Sequence, residues 1–143
     1  YKRQRRQQDG LPRYYASTDP ALKPLVTLML QDSALVNMLR DALATVPGVA
    51  VALVFGSVAR GEAGAGSDVD VLVLGQVSEL KVNAALKPVG RALGRAVHAT
   101  ASTINAFMEQ VRGGESFAQD IVQGPRIALV GSFEDVVLSG AGR

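Results

Sequence analysis

An α/β fold, with about four short strands flanked by helices, is what this chain of 143 residues predicts. Three observations carry that expectation. Continuous apolar runs of strand length stand at Val49 to Phe55 and Val69 to Leu74. Apolar residues recur at helical spacing before, between and after the strand candidates, and glycine or proline punctuates nearly every junction. With 48% hydrophobic and 20% charged residues, the chain has the apolar content of one compact domain.

Taken in order, residues 1 to 19 are polar and basic. Lys2, Arg3, Arg5, Arg6 and Arg13 face only Asp9 over the first thirteen residues, so the net charge of +2 is concentrated in this arm. Asp9-Gly10 is a turn signal, which makes a short basic hairpin one reading and a solvated arm the other. The first residue is Tyr1, and an upstream segment is therefore expected. Pro20 and Pro24 bracket a helix start, followed by Leu22, Leu25, Val26 and Met29. After Asp32-Ser33 the pattern resumes with Leu35, Met38, Leu39 and Ala42, which gives two amphipathic helices or one broken one.

Pro47-Gly48 ends that region, and the strand from Val49 to Phe55 is apolar enough to be buried on both faces. Gly56 to Ser67 is a connector with four glycines and Val58 as its one bulky apolar residue. The second strand follows at Val69 to Leu74. Glu79 to Leu93 presents Val82, Ala85, Leu86, Val89 and Leu93 on one helical face, with Pro88 expected to kink or divide the helix. Arg95 to Ser102 suits a third strand. Two helical stripes come next: Ile104, Phe107, Met108 and Val111, ended by Gly113-Gly114, and Phe117, Ala118, Ile121 and Val122, ended by Gly124-Pro125. Arg126 to Val130 reads as a fourth strand, and Ser132 with Asp135 as a capping box for a last helical turn.

The composition also excludes chemistry. There is no cysteine, so disulfides, thiolate nucleophiles and cysteine zinc sites are absent, and His98 is the lone histidine. A metal site within one chain must rest on oxygen ligands. No run of about 18 apolar residues free of charges or breakers suggests a membrane span, and a soluble, cytoplasmic protein is expected.

The stretch "VFGSVARGEAGAGSDVDVLV" holds the candidate site. A strand ending in Gly56-Ser57 allows close approach of an anion, because glycine lacks a Cβ and the amides of the next turn can point at phosphate. Ser57 adds a hydroxyl, and Arg60, three residues into a helical turn, can bring a guanidinium to the same oxygens. Asp68 and Asp70 are two apart on a strand and so project from one face, where they repel unless a cation lies between them. Magnesium suits such a pair, taking one or two carboxylates and completing its shell with water and phosphate. Either half alone is weak, since an isolated Asp-x-Asp is usually a solvated strand edge. Together they form a site at neighbouring strand ends.

These residues resemble the signature of the nucleotidyltransferase superfamily, which includes DNA polymerase beta, kanamycin nucleotidyltransferase and the minimal nucleotidyltransferases. Gly56 and Ser57 match its phosphate turn, Arg60-Gly61-Glu62 a segment common in minimal members, and Ser67-Asp68-Val69-Asp70 its metal-binding strand start. The resemblance implies a small mixed sheet and metal-dependent transfer of a nucleoside monophosphate from an NTP, ATP among them, with pyrophosphate leaving. Mg2+ is the implied ion and Mn2+ an alternative. Nucleotide binding then falls to Gly56, Ser57, Arg60 and Ser67, and metal binding to Asp68 and Asp70. A protein side chain is the favoured acceptor.

A weaker likeness runs over nearly the whole chain, because "RYYASTDPALKPL" and "LGRAVHATASTINAFMEQ" resemble bacterial proteins that join a winged-helix DNA-binding domain to a minimal nucleotidyltransferase domain. On that likeness residues 1–19 are the remnant of a wing and residues 20–143 the nucleotidyltransferase domain. The same likeness implies contact with DNA through an upstream winged helix. A homodimer is a further option.

One element of the family pattern is missing. Active members generally add a third carboxylate from a later strand, and Arg95 to Ser102 contains no acid. Three readings follow. His98 substitutes as ligand or general base, against the plainer reading of a partly buried structural imidazole. Alternatively, Glu109, Glu115 or a partner chain supplies an acid. In the third reading the domain binds nucleotide without transferring it, as a regulator. Lys81, Lys87 and Arg91 are read as the solvated face of their helix.

Overall fold

The computed structural model describes residues 34–61 and 68–138. The basic arm, the helix start at Pro20 and the segment from Glu62 to Ser67 lie outside the described residues. Helix α1 (Ala34–Leu43) leads into β1 (Val49–Phe55), a four-residue helix α2 (Gly56–Ala59), β2 (Val69–Gly75), α3 (Glu79–Leu93), β3 (Val97–Ser102), α4 (Ile104–Arg112), α5 (Ser116–Gln123) and β4 (Ile127–Val130), with a π-helical turn at Glu134–Leu138.

The strands form one mixed sheet in the order β3-β2-β1-β4. Strand β1 runs antiparallel to both β2 and β4, whereas β2 and β3 are parallel and joined through α3, the kind of crossover that parallel strands require. The chain direction therefore brings the end of β1 and the starts of β2 and β3 to the same end of the sheet.

Both middle strands are buried on two faces, as their unbroken apolar runs imply. Ala52, Val54, Val71 and Val73 pack with Leu39 and Leu43 of α1 and Val82 and Leu86 of α3. Val51, Leu53, Leu72 and Leu74 pack on the other side with Phe107, Ala118, Ile121, Phe133 and Val137. Each such fully buried Val or Leu stabilises the fold by about 1.5–3 kcal/mol.

Side chains from the helices cover both sheet edges. Asn83 Nδ2 donates to the Ala99 carbonyl and the Ala99 N–H donates to Asn83 Oδ1, both at 3.1 Å. One turn earlier on α3, Glu79 Oε2 accepts from the Ala101 N–H at 2.9 Å. On the opposite edge Arg40 donates to the Ala128 carbonyl at 2.9 Å. Such polar covering blunts the tendency of an edge strand to recruit another chain.

Three expectations shift. Helix α3 passes undivided through Pro88, since Pro88 and Ala84 are both exposed and the carbonyl that loses its amide partner faces water. Strand β3 starts at Val97 rather than Arg95, because Gly94 closes α3 in a left-handed conformation and the Arg95 N–H is spent on the Gly90 carbonyl. Strand β4 starts at Ile127, while Arg126 donates to the carbonyls of Ile121, Val122 and Gly124 at the end of α5. The serine half of the capping box forms: Ser132 Oγ accepts from the Asp135 N–H at 3.2 Å.

Candidate functional site

The candidate site lies where β1 ends and β2 and β3 begin. Phe55 closes β1 opposite Asp70 of β2, and Asp70 is in turn the register partner of His98 on β3. Alternation puts Asp68 and Asp70 in one row with Leu72 and Leu74, so the row that is core further along becomes carboxylate at the strand start. Nucleotide sites in doubly wound sheets gather at the carboxyl ends of parallel strands. Here the cluster forms at the amino ends of the parallel pair, because antiparallel β1 delivers its turn to that end.

Gly56 begins α2 with φ +75°, and a Cβ placed on it would lie 2.7 Å from Asp70 Oδ2. Only glycine allows the turn to sit this close to the carboxylate. No side chain caps the first turn of α2, whose opening amides, including those of Ser57 and Val58, lack intrahelical acceptors by helix geometry. Ser57 is half-buried beside them, and exposed Arg60 closes α2 with its N–H on the Gly56 carbonyl at 3.0 Å.

Burial is the largest influence on the Asp70 carboxyl and holds it above its ordinary value. The charge of His98 opposes that effect, the charge of Asp68 adds to it and the charge of Arg60 opposes it. Asp68 is exposed, and its Oδ2 lies 3.3 Å from His98 Nε2. The imidazole is itself 62% exposed, which overturns the expectation of a partly buried structural histidine.

The other proposed acids do not join the cluster. Glu109 pairs with Arg112 on its own helix, and Glu115 stands before α5 as its cap residue. Among the described residues no group of three or more His, Asp or Glu side chains is placed to hold a metal ion. The donor set nevertheless fits a hard divalent cation of the kind that keeps most of its water: two carboxylates on one face, one of them partly desolvated, beside a turn with no Cβ in the way. Ser67, expected at the nucleotide, lies outside the described residues.

Residues with no sequence signal also border the site. Phe117 at the start of α5 meets Phe55, the residue before Gly56, edge-on, with ring centroids 5.7 Å apart, and remains 38% exposed. In the sequence it shows only as one member of a helical stripe. Among the described residues no helix is long and apolar enough to cross a membrane.

Comparison with known proteins bears on the family and the fold. The family model for the nucleotidyltransferase domain matches residues 36–110, a span from α1 to α4 that includes both carboxylates and His98. No curated protein matches the sequence. A solved structure described as a toxin-antitoxin with AMP-PNP is similar with a TM-score of 0.50 and 18% identity, over 72% of this chain and 78% of that one. At that identity the likeness speaks for the fold.

Proposed function

Because the chain belongs to the nucleotidyltransferase domain family, we propose that it transfers a nucleoside monophosphate from an NTP to a hydroxyl acceptor, with the end of β1 and the starts of β2 and β3 as its active site. The observation that carries this reading is the close approach of Gly56 to Asp70, which sets a turn without a side-chain cap against a carboxylate pair.

In this reading the amides of Ser57 and Val58, the Ser57 hydroxyl and Arg60 receive the triphosphate. Asp68 and Asp70 would hold a magnesium ion, which when bound supplies charge neutralisation for the phosphates and the attacking oxygen. The acceptor oxygen forms a bond to the α-phosphorus as the bond from that phosphorus to the bridging oxygen breaks, and pyrophosphate leaves. The proton of the acceptor hydroxyl is assigned to His98, oriented by Asp68 and open to solvent. Phe117 offers a ring face on which a nucleobase can stack. The AMP-PNP named for the similar structure supports ATP as the first donor to try.

One observation favours a second reading. The β3 position beside Asp70 carries an imidazole and not an acid, which suits a nucleotide-binding regulator that transfers slowly. Incubation with α-labelled ATP, GTP, CTP and UTP, with magnesium or manganese and cell extract, separates the two. Transfer is expected with the parent and not with the Asp68→Ala, Asp70→Ala double variant. Label that survives the double substitution rules out the assignment. Nucleotide binding without label in either sample supports the regulator.

A further inference from the structure

We propose that this chain associates head to tail with further copies of itself, the outward face of α3 on one copy seating against the outward face of α5 on the next. The two helices lie on opposite sides of the sheet, α3 with Ala52, Val54, Val71 and Val73, and α5 with Leu53 and Leu72. Among the described residues two large hydrophobic side chains are exposed, and one stands on each of these faces: Leu80 at 81% and Phe117 at 38%. The charges around them are of opposite sign. Leu80, Ala84, Lys87 and Arg91 share one exposed stripe of α3, with exposed Lys81 beside it, while the acid of this helix, Glu79, is engaged by the Ala101 N–H. Helix α5 contains no basic residue; Asp120 lies one turn from Phe117 on its exposed face, and exposed Glu115 precedes it. Neither these two acids nor the three cations make an ion pair among the described residues, whereas Arg112 and Arg126, on the α5 side of the sheet, are matched to Glu109 and Glu134.

Charge decides how the copies meet. Two α3 faces brought together oppose cation to cation, and two α5 faces acid to acid; α3 on α5 pairs the signs and covers Leu80 with Phe117. Because the two faces look out from opposite sides of the sheet, a contact that joins two copies leaves one α3 face and one α5 face free. Growth then continues through the same contact, as a heterologous interface requires. An anionic membrane is a poorer match, because a helix lying on it buries a row of large apolar side chains, and the stripe adds only the small Ala84 to Leu80. A phosphate backbone has no use for Leu80 and leaves the α5 face unmatched. Two short helix faces make a small contact, so the association belongs to the weak, transient class and responds to salt.

The test uses the full chain without nucleotide, since Phe117 is also assigned to a nucleobase, and its outcome does not depend on transfer. Sedimentation velocity follows nuclease-treated protein from about 10 μM to about 1 mM, at about 50 and about 500 mM salt. At low salt the average mass is expected to rise with concentration past that of two chains, and at high salt to fall towards that of one. The α3 variant Lys87→Glu, Arg91→Glu and the α5 variant Asp120→Lys are each expected to weaken association by about tenfold or more. An equal mixture of the two variants is expected to regain it, because each offers the face that the other lacks. Leu80→Ala is expected to weaken association about tenfold, most of the value of one buried leucine, and circular dichroism verifies the fold of every variant. A parent that stays monomeric, an assembly that stops at two chains, equal association of the parent and either charge variant, or a mixture that stays apart overturns the proposal. Association that appears only when nucleic acid is added assigns the α3 face to a phosphate backbone and overturns it as well.

Discussion

Gly56 lies over the Asp70 carboxylate so closely that a Cβ there would stand 2.7 Å from Oδ2. The glycine is also in a left-handed conformation, so Gly56→Ala adds strain of about 1–2 kcal/mol and displaces the carboxylate as well. Gly94 separates these effects, because its φ is +66° but nothing lies within 4 Å of a Cβ there. Denaturant unfolding is expected to show a loss of about 1–2 kcal/mol for Gly94→Ala with nucleotide binding intact. Gly56→Ala is expected to lose more stability and to lose nucleotide binding.

Asp70 is an acid that the fold holds at a disadvantage. Burial raises its carboxyl above the ordinary value and the charge of Asp68 adds to that effect. Asp70→Asn removes the charge and keeps the shape, so in EDTA at neutral pH the variant should melt about 1–3 °C above the parent. Magnesium should raise the melting temperature of the parent and leave the variant unchanged. A variant less stable than the parent in EDTA would show that the carboxylate has a structural role of its own.

The sheet was legible because its middle strands are continuous apolar runs, and the carboxylates because their spacing of two fixes a shared face. The turn at Gly56-Ser57 was visible for a similar reason: a glycine at a strand end is a local backbone signal. What could not be read is what tertiary packing decides. Asn83 is a lone polar residue on α3 until β3 lies beside it. Pro88 misleads in the other direction, since its local rule omits the water that relieves it. The exposure of His98 follows from its position at the start of an edge strand, which no window of sequence contains.

Asn83 acts as a strand partner for Ala99 through both ends of its amide. Asn83→Ala leaves a part-buried N–H and C=O without that partner, and a loss of about 1–3 kcal/mol is expected in urea unfolding. Asn83→Asp should cost at least as much, because its carboxylate accepts from the Ala99 N–H but repels the Ala99 carbonyl. Equal stability of Asn83→Asp and parent would mean that the donor half of the amide contributes nothing.

Arg126 ties the end of α5 to the terminal turn by bonding three carbonyls, stacking 4.7 Å over Phe133 and pairing with Glu134 at 2.9 Å. The Arg126 hydrogen bond, followed by the backbone N–H of Glu134 itself, holds the Glu134 carboxyl below its ordinary 4.5. The stability contributed by Glu134 is therefore present above that value and is lost as pH falls through the lower folded value. Glu134 is mostly exposed, so Glu134→Gln should lose less than about 1 kcal/mol at pH 7 and nothing at a pH where the parent is protonated. Arg126→Ala, measured in the same pH series, should still lose about 2–3 kcal/mol where Glu134 is protonated, because its carbonyl bonds do not titrate, and somewhat more at pH 7, where the pair with Glu134 is also lost.

His98 tests the missing carboxylate directly, because the parallel register places it beside Asp70 and its ring already touches Asp68. His98→Asp makes three acids of two. Without a cation the added charge repels its neighbours, by about 1 kcal/mol at 4 Å in water and up to about 4 kcal/mol near a protein surface. The variant should therefore melt below the parent in EDTA. The same repulsion becomes attraction for a divalent ion, so magnesium affinity, read from the shift of melting temperature with ion concentration, should rise by about tenfold or more. If label transfer rises with it, the imidazole is what limits catalysis in the native chain. If magnesium affinity does not change, Asp68, Asp70 and residue 98 do not share an ion, and the carboxylate pair must be assigned another partner.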